Sequence, residues 1–197
     1  VKLSAGQSFP ATATGMDVTE SVSDLASKTF ILTGATGTLG RACAKILRAR
    51  GCKLIFASRD VEKASAFVGE MEKEDFEGED EGEDEDEDEE EKDEEKEADK
   101  EKPKKKKKEI TMKEVTILKC DLSSVHSVKS FCREFQKLAL PLHGILCLAG
   151  VVVQPFALTK PDGVETHFAI NHLSHYAMVS FLSDELTRTA AVAGNDG

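Results

Sequence analysis

The chain of 197 residues has no tryptophan and one tyrosine, and it opens on Val1 rather than on methionine. Because Tyr176 is the lone phenol and serine stands four positions after it, the sequence contains no Tyr-x-x-x-Lys. No apolar run reaches the roughly 18 residues needed to span a bilayer, and no cationic, apolar, small-residue leader stands at the start. The longest apolar run, Ile145 to Val153, reads as a buried strand with its following loop. The cysteines Cys43, Cys52, Cys120, Cys132 and Cys147 are odd in number and form no C-x-x-C pair. That argues against a disulfide frame or a zinc site and for reduced core thiols in a cytoplasmic type of compartment, with nucleus or organelle left open. His172 and His175 lack an acidic or cysteine partner nearby in sequence, so they read as neighbours on a helix face and no metal site is expected.

Charge is present in quantity but concentrated. Residues 73–108 hold 21 acidic and 10 basic side chains, so the whole net charge of −11 lies there, and the rest of the chain carries 16 of each sign. A neutral remainder offers no basic field for direct nucleic-acid binding. The charged segment is nearly devoid of apolar residues and cannot offset the ordering of its own backbone, so it reads as a disordered surface loop or an extended, frayed helix. As interaction surfaces, its acidic run would suit a basic partner, and Pro103 with Lys104 to Lys108 resembles a nuclear-import signal.

The most informative stretch is Thr33-Gly34-Ala35-Thr36-Gly37-Thr38-Leu39-Gly40. It lies between an apolar run, Thr29 to Leu32, and a helical pattern, which is how a chain presents backbone N–H groups and a positive helix end to a phosphate. Gly34 suits a tight turn, Gly37 a close approach of pyrophosphate, and Gly40 close packing of helix on sheet. The candidate cradle is Gly34, Thr36, Gly37, Thr38, Leu39 and Gly40. About 20 residues further on, where a dinucleotide fold meets the adenosine ribose, the second strand ends in Ser58-Arg59-Asp60. A guanidinium at Arg59 favours the 2′-phosphate of NADP, while Asp60 keeps NAD open.

Periodicity supplies the remaining elements. A helical pattern spans Met16 to Leu25 after Thr14. Strands are expected at Thr29–Leu32, Lys53–Ala57, Glu114–Lys119 and Gly144–Leu148. Helices are expected at Leu39–Arg50, from Val61 with Ala64, Phe67, Val68 and Met71, along Val125, Val128, Phe131, Phe135 and Leu138, and as one long helix over Gly163–Thr187. Alternating strands and helices predict an α/β, Rossmann-type doubly wound parallel sheet, incomplete at about four strands, with ligand at the strands' carboxyl ends. The glycine turn, Ser58-Arg59, Asp121-Leu122 and Leu148-Ala149-Gly150 would then line one crevice. Asp121 also suits the N-cap region of the next helix. The expected organisation is an extension at 1–27, a partial dinucleotide-binding domain at 28–72 and 109–190, and the low-complexity insertion at 73–108.

These stretches, together with Leu158-Thr159-Lys160, Asp162-Gly163 and Phe168-Ala169-Ile170-Asn171-His172-Leu173-Ser174-His175-Tyr176, resemble the short-chain dehydrogenase/reductase family. The similarity is to the branch of retinol dehydrogenases, WW domain-containing oxidoreductase and Tic32-like proteins. The resemblance implies an NADP-preferring oxidoreductase acting on the carbonyl/alcohol pair of a small, apolar substrate. It further implies that Asn171 belongs to a catalytic tetrad and holds a water of the proton relay. Asp121 would contact adenine, Ala149 and Gly150 would border the ribose, Ser58 and Arg59 would meet the 2′-phosphate, and the Asn171 helix would pack a homodimer.

The chain departs from the family pattern in three places. Thr38 stands where the branch has a glycine, Cys147 and Leu148 replace the two asparagines of Asn-Asn-Ala-Gly, and the family's serine, tyrosine and lysine are absent. The expectation is a piece of a longer reductase; the alternative is a catalytically inactive nucleotide-binding or interaction protein that uses the acidic insertion.

Overall fold

A computed structural model describes residues 12–20, 22, 24–80, 115–152 and 155–193. The charged run from 81 to 108 and Glu114 lie outside the described residues, as does the disorder expected of that run. Four strands, β1 (Thr29–Thr33), β2 (Lys53–Ser58), β3 (Val115–Lys119) and β4 (Gly144–Cys147), form one parallel sheet in the order β3-β2-β1-β4. The expected fold class is therefore the observed one. A parallel strand covered on both faces must be apolar along its length rather than alternating. Phe30-Ile31-Leu32 and Leu54-Ile55-Phe56-Ala57 in the two central strands meet that demand.

Two hydrophobic layers clothe the sheet. On one face Leu32, Leu54 and Phe56 pack with Ala44 of α2 (Thr38–Ala49) and with Ala64, Phe67 and Met71 of α3 (Val61–Asp80). On the other, Ile31 and Ile55 pack with Val128, Phe131 and Phe135 of α4 (Val125–Lys137) and Met178 of α5 (Ser174–Phe181). Phe56 and Phe67 stack with ring centroids 6.0 Å apart and have no exposed surface. Removing either ring would cost about 3–5 kcal/mol.

Several boundaries differ from the sequence reading. The pattern at Met16–Leu25 resolves into α1 (Gly15–Glu20) and a single 3₁₀ turn, Leu25–Ser27. Thr14 and Asp17 cap α1 reciprocally: the Asp17 N–H donates to Thr14 Oγ1 at 3.2 Å, and the Thr14 N–H donates to Asp17 Oδ2 at 2.7 Å. Helix α3 continues to Asp80, beyond the boundary placed at residue 73. Strand β4 stops at Cys147, and its residues are half-buried or exposed rather than buried, because β4 lies at the edge of the described sheet. Cys147 is accordingly an exposed thiol, an exception to the expected core cysteines, and Cys43 is half-buried.

The long helix expected over Gly163–Thr187 is three segments: a π-helix at Phe168–Leu173, α5, and α6 (Ser183–Ala193). Leu182 breaks the helical course at φ −112°, ψ 11°. Beside it the Ser183 hydroxyl donates to the Ser180 carbonyl at 3.0 Å, a local bond that competes with the helical ladder. Asp184 and Glu185 then occupy the first turn of α6, where negative charge suits the helix start.

Candidate functional site

The first turn of α2 is built for close approach. Gly34 leaves β1 at φ +66°, and a Cβ there would stand 2.7 Å from the Ala149 nitrogen, so only glycine fits. Gly40 is buried beneath the turn, where a Cβ would lie 2.0 Å from the Gly34 carbonyl oxygen. Gly37 differs: its Cβ would stand 3.3 Å from that oxygen, a tight contact relieved by a shift of a few tenths of an ångström, so packing demands glycine there far less than at Gly34 or Gly40. Gly37 is the N-cap of α2 and supplies no side-chain bond to the first N–H groups. An uncapped, glycine-lined helix start is the donor set that a pyrophosphate takes.

At the carboxyl ends of the strands a crevice of about 370 Å³ opens beside this turn. It gathers Gly34, Thr36 and Gly37 after β1, Ser58, Arg59 and Asp60 at the end of β2, Asp121 and Leu122 after β3, and Leu148, Ala149 and Gly150 after β4. Four turns far apart in sequence thus share one cavity. Of the other expected site residues, Thr38 and Leu39 are exposed in the first turn of α2, Gly40 is buried beneath it, and Asn171 stands behind Gly150; none of the four lines the crevice.

Hydrogen bonds give each wall its shape. The Ser58 hydroxyl donates to the Asp60 carbonyl at 2.8 Å, closing the turn that presents exposed Arg59. Asp60 Oδ1 accepts the Lys63 N–H at 2.9 Å and so caps α3. Asp121 Oδ1 accepts both the N–H and the hydroxyl of Ser123, at 2.9 and 2.8 Å. The N-cap of α4 is Ser124, whose hydroxyl accepts the Ser127 N–H. Asp162 Oδ2, from the remote loop before the π-helix, accepts the Val125 N–H at 2.7 Å.

The loop after β4 is held from two sides. Thr33 Oγ1 accepts the N–H groups of Leu148 and Ala149 at 3.1 and 3.2 Å. The Asn171 side chain accepts the Val151 N–H at 2.8 Å and donates to the Val151 carbonyl at 3.0 Å. Both polar ends of Asn171 are thereby engaged by backbone.

His175, expected only as a helix-face neighbour of His172, is buried against Thr33, and burial lowers its basicity against the opposing pull of the Asn171 carbonyl. His172 instead lies exposed between the rings of Phe168 and Tyr176. Cys120 lines the crevice, but burial pushes its thiol up to about 12, so it offers no thiolate near neutral pH.

The sequence reading passed over Thr33 and His175 as site-shaping residues, and Lys63 and Ile170 as lining. The helical four-residue spacing from Asn171 to His175 was the one available signal for the histidine. Nothing in the sequence brings Thr33 to either of them.

The KR domain profile matches residues 28–169. Short-chain dehydrogenase TIC 32 A, chloroplastic, of Brassica napus is 30% identical over 98% of this chain and 49% of its own length. The human WW domain-containing oxidoreductase is 28% identical over 93% of this chain and 36% of its own. The chain thus spans about half, or less, of the length of these curated relatives. A metagenomic short-chain oxidoreductase solved in complex with NADP superposes with a TM-score of 0.55 at 18% identity, over 81% of this chain and 57% of that one. Among the described residues no helix is long and apolar enough to cross a membrane, and no cluster of histidine, cysteine or carboxylate side chains could hold a metal ion. The match over most of the chain, on a parallel sheet whose strand-end turns converge at a glycine-lined helix start, establishes that the chain belongs to the KR-domain family of short-chain dehydrogenases/reductases.

Proposed function

We propose that this chain binds NADP(H) in the strand-end crevice and is the nucleotide-holding part of an oxidoreductase acting on the carbonyl/alcohol pair of a small, apolar molecule. The observation that carries the reading is Arg59 on the crevice wall beside Asp60, which lines the same crevice but gives its Oδ1 to the cap of α3. In this arrangement the ribose end meets a guanidinium next to a carboxylate whose Oδ1 is already engaged, which favours a 2′-phosphate. The TIC 32, WW domain-containing and metagenomic proteins carry "dehydrogenase" or "oxidoreductase" in their names, and the last was solved with NADP; that supports the reaction class and the cofactor. Bound nicotinamide would supply the hydride. Gly34, Gly37 and the start of α2 would hold the pyrophosphate, Asp121 the adenine, and Ala149 and Gly150 the ribose. Asn171 is read as the tetrad member that shapes the loop beside the reacting ring.

No Tyr-x-x-x-Lys stands among these 197 residues, so their own part in the reaction is to bind and orient the nucleotide. Exposed Phe168, Tyr176 and Val179 on the Asn171 helix support a homodimer through that face. The free cysteines support a reducing, cytoplasmic type of compartment.

The test is a fluorescence titration of the chain with NADPH and with NADH. NADPH should bind tighter by about tenfold or more, the worth of a charge-assisted contact, and Arg59→Ala should erase the difference while leaving NADH unaffected. Equal affinity for both nucleotides in the unaltered chain, or binding of neither, sinks the reading.

A further inference from the structure

The hydrogen-bond count at Thr33 determines the state of a buried histidine that does not line the crevice. A threonine hydroxyl has two lone pairs and one hydrogen. The Ala149 N–H takes one lone pair at 3.2 Å, and the Leu148 N–H, shared with the Leu146 carbonyl at 3.1 Å, points at the other at 3.1 Å. The remaining hydrogen has two acceptors within reach, the Leu146 carbonyl at 3.4 Å and His175 Nε2 at 2.9 Å, and the shorter contact wins. Nε2 is therefore bare. The ring proton sits on Nδ1, where it donates to the Asn171 carbonyl at 3.3 Å.

The consequence is a continuous chain of contacts around the loop after β4. Thr33 holds Leu148 and Ala149 from the end of β1, Asn171 grips Val151 from the π-helix, and His175 ties Thr33 to the backbone of Asn171. Protonating the ring would place an N–H against an oxygen whose lone pairs are already taken. Burial disfavours the charged form in any case.

We propose that His175, as the neutral Nδ1–H tautomer, is a positioning residue that locks the Leu148–Val151 loop to the Asn171 turn and so fixes one wall of the crevice. That this wall faces the ribose of a bound dinucleotide rests on the function proposed above; the lock itself does not. No water, metal or substrate is required for it. His175 touches none of the crevice, and its influence passes through Thr33 and Asn171.

Nitrogen-15 NMR of the histidine rings, with amide spectra of the same chain, tests the lock directly. The His175 ring should show a protonated Nδ1 and a bare Nε2. His175→Leu should displace the amide resonances of Leu148, Ala149 and Val151 together and weaken NADPH binding by about tenfold. His175→Gln, whose amide oxygen reaches the position of Nε2 and accepts from Thr33, should restore most of both.

A ring protonated on Nε2, or a leucine variant in which the three amides stay in place, overturns the proposal. If the unaltered chain binds no NADPH, the function proposed above fails, while tautomer and amide resonances still decide the lock. Should the leucine variant not fold, the tautomer of the unaltered chain and the amides of the glutamine variant decide it.

Discussion

Gly40 lies so close beneath Gly34 that a Cβ on it would stand 2.0 Å from the Gly34 carbonyl oxygen, and the conflict is with backbone, which cannot swing aside. Gly40→Ala should therefore destabilise the protein by about 3 kcal/mol and lose nucleotide binding with the fold. Gly37→Ala should lower the melting temperature far less than Gly40→Ala, because its Cβ meets only the Gly34 oxygen, at 3.3 Å, yet bind NADPH more weakly since Gly37 lines the crevice. Paired thermal melts and NADPH titrations separate the two. A stable Gly40→Ala protein would remove the packing argument.

Asp60 serves α3 before it serves any ligand. Replacing it with alanine removes the acceptor for the Lys63 N–H and should cost about 1 kcal/mol, the usual worth of an N-cap. The preference for NADPH over NADH should be unchanged. Chemical denaturation measures the first and comparative titration the second; a further shift toward NADPH would show that the carboxylate also faces the ribose.

Acid should weaken the fold in two stages. Burial lowers the basicity of His175, and burial together with the Lys28 charge lowers that of His143, whose Nδ1 accepts the Thr29 N–H at 2.9 Å. A histidine held neutral in the folded state binds its proton more readily once unfolded, so its contribution is complete above the unfolded value near 6.5 and is lost as pH falls below it. The slope cannot exceed about 1.4 kcal/mol per pH unit for each ring. The carboxylates of Asp17, Asp24 and Glu165 are held below their ordinary values by hydrogen bonds from Thr14, from Lys28, and from the His167 and Phe168 N–H groups, so they act only in the more acidic range. Urea melts between pH 8 and 5 should show stability falling from about pH 6.5 downward, and His175→Gln should flatten that limb. A profile flat to pH 5 would contradict the buried, neutral assignment.

The cysteines should divide by environment. Cys52, Cys120 and Cys132 are buried, with thiols pushed up to about 11, 12 and 12 by loss of solvent. Cys147 is exposed, with its thiol also raised by partial loss of solvent, and Cys43 is half-buried, so the order between these two rests on exposure. Reaction with a chromogenic disulfide in native buffer should therefore label Cys147 first and Cys43 next, and the other three only on unfolding. Mass spectrometry of the labelled peptides checks the order.

Much of this protein was legible in its residues one stretch at a time. The glycines at 34, 37 and 40, the apolar runs of β1 and β2, the arginine at the end of β2 and the helical spacing of Val128, Phe131 and Phe135 are local facts, and each acts on backbone geometry or on a single face. They sufficed for a parallel α/β sheet and for the turns that meet at its carboxyl edge. The length of the last helix was misread because helical periodicity persists through Leu182 while a serine side chain beside it competes for the backbone. The half-buried state of β4 was misread because apolar composition does not tell a central strand from an edge one.

What the tertiary structure alone decided is how distant groups share atoms. Thr33 and His175 are 142 positions apart, and only the pairing of β4 beside β1, with α5 packed over them, brings the hydroxyl and the ring together. The same holds for Asp162 capping α4 and for Asn171 gripping Val151. Sequence patterns encode what each segment buries; which lone pair meets which N–H depends on where the packed segments come to rest.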